Sequence, residues 1–290
     1  MSVYYLPINN KKYDCEHWDI PNMVESAIVD MTIKQLFTLY KEYKNVHYVD
    51  NSVAALVDTA LDKNGIHLLF TNAIFSRFWF EQLVNNDDEL NQFKAWVNDN
   101  YRDLDYFNTL APTIIRIKVD LSSIKSVYDC IAGKSLTRHM AVSVLLHDQV
   151  GNYILAKRKK RHEFGKAAYG VSCTAAIMSN SLNDNDPIIA EAKKAIKRKL
   201  KFIDVNKLVG LTFYGIAVGY KKKQPVAIVT GCVHGVLTKE DINEDDFILV
   251  NIVEDENALI NFEHINEMSE VAQFHLKSET EWYISSDLAF

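Results

Sequence analysis

Six cations crowd one short stretch of this chain: Lys193, Lys194, Lys197, Arg198, Lys199 and Lys201. Arginine's planar fork suits bidentate contact with phosphate, and neighbouring lysines add point charges that hold an anion. Such a charge run also arises on a helix face that simply meets water. Acids are scarce here, since Glu191 is the only one between Pro187 and Phe202, with Asp186 just ahead of it. One carboxylate cannot assemble a polydentate Mg²⁺ site, and cations beside it repel a dication. A second basic run, Lys157-Arg158-Lys159-Lys160-Arg161, is followed by His162 and Glu163, and Tyr169 comes shortly after. It could line a ligand pocket or a nucleic-acid path, with His162 and Tyr169 stacking on a base, or it could be a solvated loop. The acids Glu240, Asp241, Glu244, Asp245 and Asp246 form a carboxylate cluster, and they suit either a substitute metal site or an exposed loop. His139, His147 and His234 occur singly, without metal-ligand spacing. No Gly-rich phosphate loop or nucleophile elbow appears.

The elements that would position these groups follow from composition and periodicity. Hydrophobic residues make up 48% of 290 residues, which supports a packed core and one large or two ordinary domains. The formal charge of −6 argues against a general nucleic-acid or membrane-surface binder. Cys15, Cys130, Cys173 and Cys232 fit neither a zinc site nor a disulfide framework, so free thiols in a reducing compartment are expected. The opening Met-Ser-Val-Tyr-Tyr-Leu-Pro has no basic region followed by an apolar core, and no apolar run reaches membrane-spanning length. A cytoplasmic protein is expected.

In residues 1–133, helical spacing predicts helices over Pro21–Tyr43, Ser52–Leu61, Ala73–Val84 and Glu89–Tyr101. Ile66–Thr71 and Thr113–Leu121 read as strands. This is a mainly helical α+β domain, whose aromatic cluster Phe75-Ser76-Arg77-Phe78-Trp79-Phe80 suits a helix core or a ligand platform. Residues 134–290 differ. Met140–His147 and Tyr153–Arg158 form a hairpin around a Gly-containing turn, Tyr169–Met178 is a strand, and Pro187 opens a helix running to about Phe202. Leu208–Tyr220 and Val226–Val236 make a long hairpin, and helices follow Asn257. That order describes an α/β sandwich.

The second half resembles the Nudix superfamily. The stretch from Ala141 through Leu145-Leu146-His147-Asp148 to Lys157-Arg158 is similar to that family's opening hairpin. Gly170 to Ala176 stands where the family's glycine approach to its box lies, and the strand entered through Gln224-Pro225 is similar to its later core strand. The resemblance implies a Nudix-like α/β/α sandwich with a mixed sheet over residues 134–290. The family's box, G-x5-E-x7-R-E-U-x-E-E-x-G-U with U apolar, carries helix carboxylates that hold Mg²⁺ on a substrate diphosphate. Aligned on Pro187–Phe202, the apolar positions fall on Ile196 and Phe202, the arginine on Lys194 and the loop glutamate on Asp186. The opening glycine becomes Asn180 and the late one Lys201. The helix glutamates become Ala195, Arg198 and Lys199, and no register restores them.

The resemblance therefore implies a Nudix-fold protein without the family's metal site and with no cofactor. It would sense a nucleotide or other phosphate-bearing small molecule, or serve as a protein-interaction scaffold, with the N-terminal domain supplying partner contact. Arg158, Lys194 and Arg198 are the expected ligand contacts. The alternative is a hydrolase of nucleoside diphosphate derivatives, in which Asp186, Glu191 and the acids of the 240s would hold Mg²⁺.

Overall fold

The computed structural model describes the chain apart from residues 1–2, 9–11, 18–23, 48, 62–64, 85, 101–137, 158–168, 220–223, 254 and 288–290. Thr113–Leu121, Cys130, Arg158, His162 and the Lys221–Lys223 turn lie outside the described residues. The chain forms two compact units. One comprises residues 1–16, 59–68 and 140–290, and the other comprises 17–58 and 69–139. The chain's first strand, Val3–Pro7, is hydrogen-bonded to Gly215–Gly219 in the C-terminal half. No helix among the described residues is long and apolar enough to cross a membrane.

The first unit is a mixed α+β body around a large sheet. Its strands are β1 (Val3–Pro7), β6 (Ala141–Asp148), β7 (Asn152–Lys157), β8 (Tyr169–Gly170), β9 (Cys173–Ala176), β10 (Leu208–Gly219), β11 (Pro225–Val233) and β12 (Phe247–Asn251). They run in the order β1-β10-β11-β6-β7-β12, with β8 on β7 and β9 on β6. The pair β11–β6 is parallel and the other pairs are antiparallel. Parallel strands are normally covered on both faces and read as continuous apolar runs. β11 follows this pattern, with Pro225 through Gly231 all buried. The stretch expected as one strand over Tyr169–Met178 divides into β8 and β9, which pair with different strands.

Helices α4 (Pro187–Lys199) and α5 (Glu270–Asp287) pack on this sheet. Ser143 and Leu145 of β6 meet α5 or its cluster, so Val142, Val144 and Leu146 point the other way, where they are fully buried. α4 also packs on β6, along with β9, β10 and β11. At the sheet edge, β1 comes so close to Gly215 that a Cβ there would lie 2.4 Å from the Leu6 carbonyl oxygen. Only glycine fits that position.

In the second unit, α1 (Val24–Lys44), α2 (Phe75–Val84) and α3 (Asp87–Asn100) pack on one another. Trp79 is buried at their centre, with ring centroids 4.9 Å from Tyr40 and 5.1 Å from Phe37. Trp79 and Phe80 are thus core residues. Asp50 caps α2, accepting from the Ser76 amide and hydroxyl at 2.8 Å each, which is why this helix begins at Phe75 rather than Ala73. Residues Ser52–Leu61, expected as a helix, form strand β3. It lies in a sheet ordered β2-β4-β3-β5, where β2 is Tyr13–His17, β4 is Ile66–Ile74 and β5 is Arg138–His139; Tyr13–Glu16 of β2 and Ile66–Leu68 of β4 belong to the first unit. Strand pairing and the burial of Val53, Ala54 and Ala55 override the helix preference of a weakly periodic, alanine-containing run.

One carboxylate ties the β6–β7 turn together. Asp148 accepts from the amides of Val150 (3.0 Å) and Asn152 (2.8 Å) through Oδ1. Its Oδ2 accepts from Asn152 Nδ2 and the Leu237 amide, both at 2.8 Å. Gly151, with φ of +75°, completes the turn. Burial pushes the Asp148 pKa up, but the hydrogen bonds from Leu237, Asn152 and Val150 outweigh it and hold the carboxyl below its ordinary range. A depressed folded pKa gives stability that is complete above the unfolded value and lost as pH falls through the folded one. Asp148→Asn satisfies only the Oδ1 donors and turns an NH₂ toward the others. It is expected to cost about 2 kcal/mol at neutral pH, read as a lower urea midpoint, with the gap to the wild type closing below about pH 4.

Candidate functional site

The basic helix α4 begins at a loop acid with two tasks. Asp186 is its N-cap, accepting from the Ile189 amide at 3.0 Å, and Pro187 occupies the first helical turn, where a missing N–H costs least. Its second oxygen accepts a hydrogen bond from the Tyr13 hydroxyl. Tyr13 also meets Phe213 edge-on at 4.9 Å. Burial, and then the Asp186 contact, push the Tyr13 pKa up. Beside it, burial, with Asp186 and Asp14 adding to it, pushes the Cys15 thiol up to about 12, so it is not a thiolate nucleophile.

Glu191 faces inward and is 1% exposed. Its Oε2 accepts from the Ser181 hydroxyl at 2.8 Å and the Met178 amide at 3.4 Å, and its Oε1 has no partner among the described residues. Lys194 reaches back to the same loop, donating to Ser181 Oγ at 2.9 Å and to Asp184 Oδ2 at 3.0 Å. A chain Asp184–Lys194–Ser181–Glu191 therefore fastens α4 to the turn before it. Both acids retained near the helix start are engaged in holding it.

The apolar stripe Ile188, Ala192, Ala195 and Ile196 is fully buried, and Lys193, Lys194, Lys197, Arg198 and Lys199 are exposed. Lys197, Arg198 and Lys199 form the last turn, where cations complement the helix dipole. The Lys199 ammonium donates to the Thr174 carbonyl of β9. Arg198 and Lys199 also act on Cys173, although burial dominates and pushes that thiol up to about 12. The last turn of α4 and strand β9 thus form one basic surface. It brings together Arg198 and Lys199, while Lys194, one turn earlier on the helix, reaches back to Ser181 and Asp184 and Arg158 lies outside the described residues.

Two of the acids of the 240s hold their own turns. Asp241 accepts from the Thr238 amide and hydroxyl at 2.8 Å each, and Asp246 accepts from Asn243 Nδ2 at 2.9 Å. Tyr169 stacks on His264 with ring centroids 4.3 Å apart and an 8° interplanar angle.

Two further polar groups were not legible in the sequence. Ser143 Oγ lies 3.0 Å from His275 Nδ1, and Thr230 Oγ1 lies 3.2 Å from His275 Nε2. Thr230 and the Tyr153 hydroxyl donate to Glu279 at 2.9 and 3.1 Å. The Ser–His distance suits a nucleophile and base, but both side chains are sealed in the core and burial pushes His275 down to about 3. This is a buried polar network of the core. The second group is Asp14, Glu16 and His67, whose donor atoms all lie within 4.8 Å of one another. The signal available was Asp14-Cys15-Glu16, which in a strand turns both acids to one side.

Asp186→Ala is expected to lower stability by about 1 kcal/mol through loss of the cap, measured by urea denaturation. An unchanged midpoint together with lost Mg²⁺ binding would make Asp186 a metal ligand instead.

No protein-family model matches the chain. No curated protein matches it either. Among solved structures, it is similar to the Deinococcus radiodurans protein DR0079, at 11% identity and a TM-score of 0.34, over 48% of this chain and 82% of that one. A likeness at this level carries no argument about function.

Proposed function

We propose that residues 134–290 are a Nudix-like α/β/α sandwich that no longer works as a metal-dependent diphosphatase and instead binds a nucleotide or other phosphate-bearing small molecule without metal. In this reading the anion sits on the basic last turn of α4, with Arg198 as its main contact, Lys197 and Lys199 beside it, Lys194 one turn earlier and Arg158 as a further contact. The N-terminal unit supplies contact with a protein partner.

The observation that carries the proposal is the division of charge on α4. Glu191, its one acid, is buried against Ser181 and Met178, while all five cations from Lys193 to Lys199 are exposed. A diphosphatase needs carboxylates at the place where the phosphates bind, so that a metal can bridge to them. A surface of guanidinium and ammonium groups offers direct charge-assisted hydrogen bonds in their place. Hydrolysis with non-standard Mg²⁺ ligands would require Asp186 to release both Tyr13 and the helix cap, and Glu191 to leave the core.

Two measurements test this. Incubated with Mg²⁺ or Mn²⁺ and a panel of nucleoside diphosphate derivatives, the protein is expected to show no turnover. Metal-dependent turnover that disappears in Asp186→Ala or Glu191→Ala would overturn the proposal. In a thermal-shift screen, a stabilising phosphate compound is expected to keep its effect in chelator. Arg198→Ala is expected to weaken that binding roughly 10- to 100-fold, the loss of a charged hydrogen bond. Stabilisation that requires metal, or none by any phosphate compound, would contradict it.

A further inference from the structure

The polar clusters outside α4 differ in access. The Ser143–His275–Thr230–Glu279 network is sealed within the core, and Asp241 and Asp246 of the 240s acids are engaged in holding their turns. The outer side of β2 is open, and its residue types are those that bind metal.

We propose that Asp14, Glu16 and His67 form a binding site for a divalent transition-metal ion of the zinc type. Residues alternate across β2, so Tyr13 and Cys15 turn toward the neighbourhood of Asp186, while Asp14 and Glu16 share the opposite side. His67 stands on β4, the adjacent strand, with Nδ1 2.7 Å from Asp14 Oδ1. Three donor atoms within 4.8 Å of one another are close to a formed coordination shell. Ligands at roughly 2.0–2.2 Å from zinc are separated by about 3–4 Å, so side-chain rotation alone closes the set.

The charges favour a cation. Two carboxylates occupy this small area, and among the described residues neither forms an ion pair with a lysine or arginine. A dication would neutralise both, and the imidazole nitrogen selects zinc, copper, iron or nickel over magnesium, calcium and manganese. Asp14 and Glu16 are exposed and His67 is half-buried, so three positions would be filled by protein and the outer ones by water. The ligands come from two neighbouring strands, so the ion would clamp β2 to β4.

The test is a Zn²⁺ titration of the full chain in competition with a chromophoric chelator, alongside the cobalt spectrum of the same protein. One equivalent is expected to bind, with each of Glu16→Gln and His67→Ala weakening it at least about tenfold. Cobalt is expected to give the visible bands of nitrogen and oxygen ligands without thiolate-to-cobalt charge transfer, separating this site from Cys15, Cys173 and Cys232. Circular dichroism checks that each variant is folded, and Glu16→Gln decides if His67→Ala is not. Absence of saturable binding, wild-type affinity in the folded variants, or a thiolate band would overturn the proposal. None of these results depends on the phosphate reading of α4.

Discussion

The way α4 seats on the large sheet decides what the C-terminal half presents to solvent. Ile188, Ala192, Ala195 and Ile196 make one stripe that the sheet buries completely. Each isoleucine contributes about 1.5–3 kcal/mol by leaving water, so the helix cannot rotate without losing most of its anchoring. With that rotation fixed, Glu191 must enter the core, and the five cations around it must face out. The Ser181 hydroxyl makes the first outcome tolerable by donating to the buried carboxylate, while Lys194 reaches back to Ser181 and Asp184. Sequence pattern, packing and surface chemistry are thus one linked choice.

The opposite layer follows a different rule. α5 brings His275 and Glu279 onto the sheet, where an all-apolar stripe would also have packed. Ser143, Thr230 and Tyr153, from three strands, satisfy both side chains. Buried polar groups cost free energy unless paired, so this network holds α5 in one register more strictly than leucines would. The parallel pair β6–β11 supplies two of its members and lies at the middle of the sheet, buried on both faces.

Local signals were readable and distant ones were not. The β6–β7 hairpin, α4 with its Pro187 start, and the β10–β11 hairpin all follow from short-range periodicity and turn chemistry. Ser52–Leu61 contains helix-tolerant alanines that locally favour a helix, and only its neighbours in the sheet make it strand β3. β1 has no local signal, since it pairs Val3 with Gly219, distant in the sequence. The same distance hid the Tyr13–Asp186 contact and the meeting of Asp14 and Glu16 with His67. At the candidate site, the shortage of carboxylates was visible in the sequence. That Asp186 and Glu191 are also engaged in holding the helix was not, because their partners are set by tertiary contacts.

The central claim is that α4 meets phosphate with its cations and without metal. The most direct measurement is an amide NMR titration of labelled protein with inorganic pyrophosphate, in chelator and then in excess Mg²⁺. The account predicts saturable shifts at Lys197, Arg198 and Lys199 and at the neighbouring strand β9, the same in both conditions. Shifts that need Mg²⁺ and centre on Asp186 and Glu191 would contradict it.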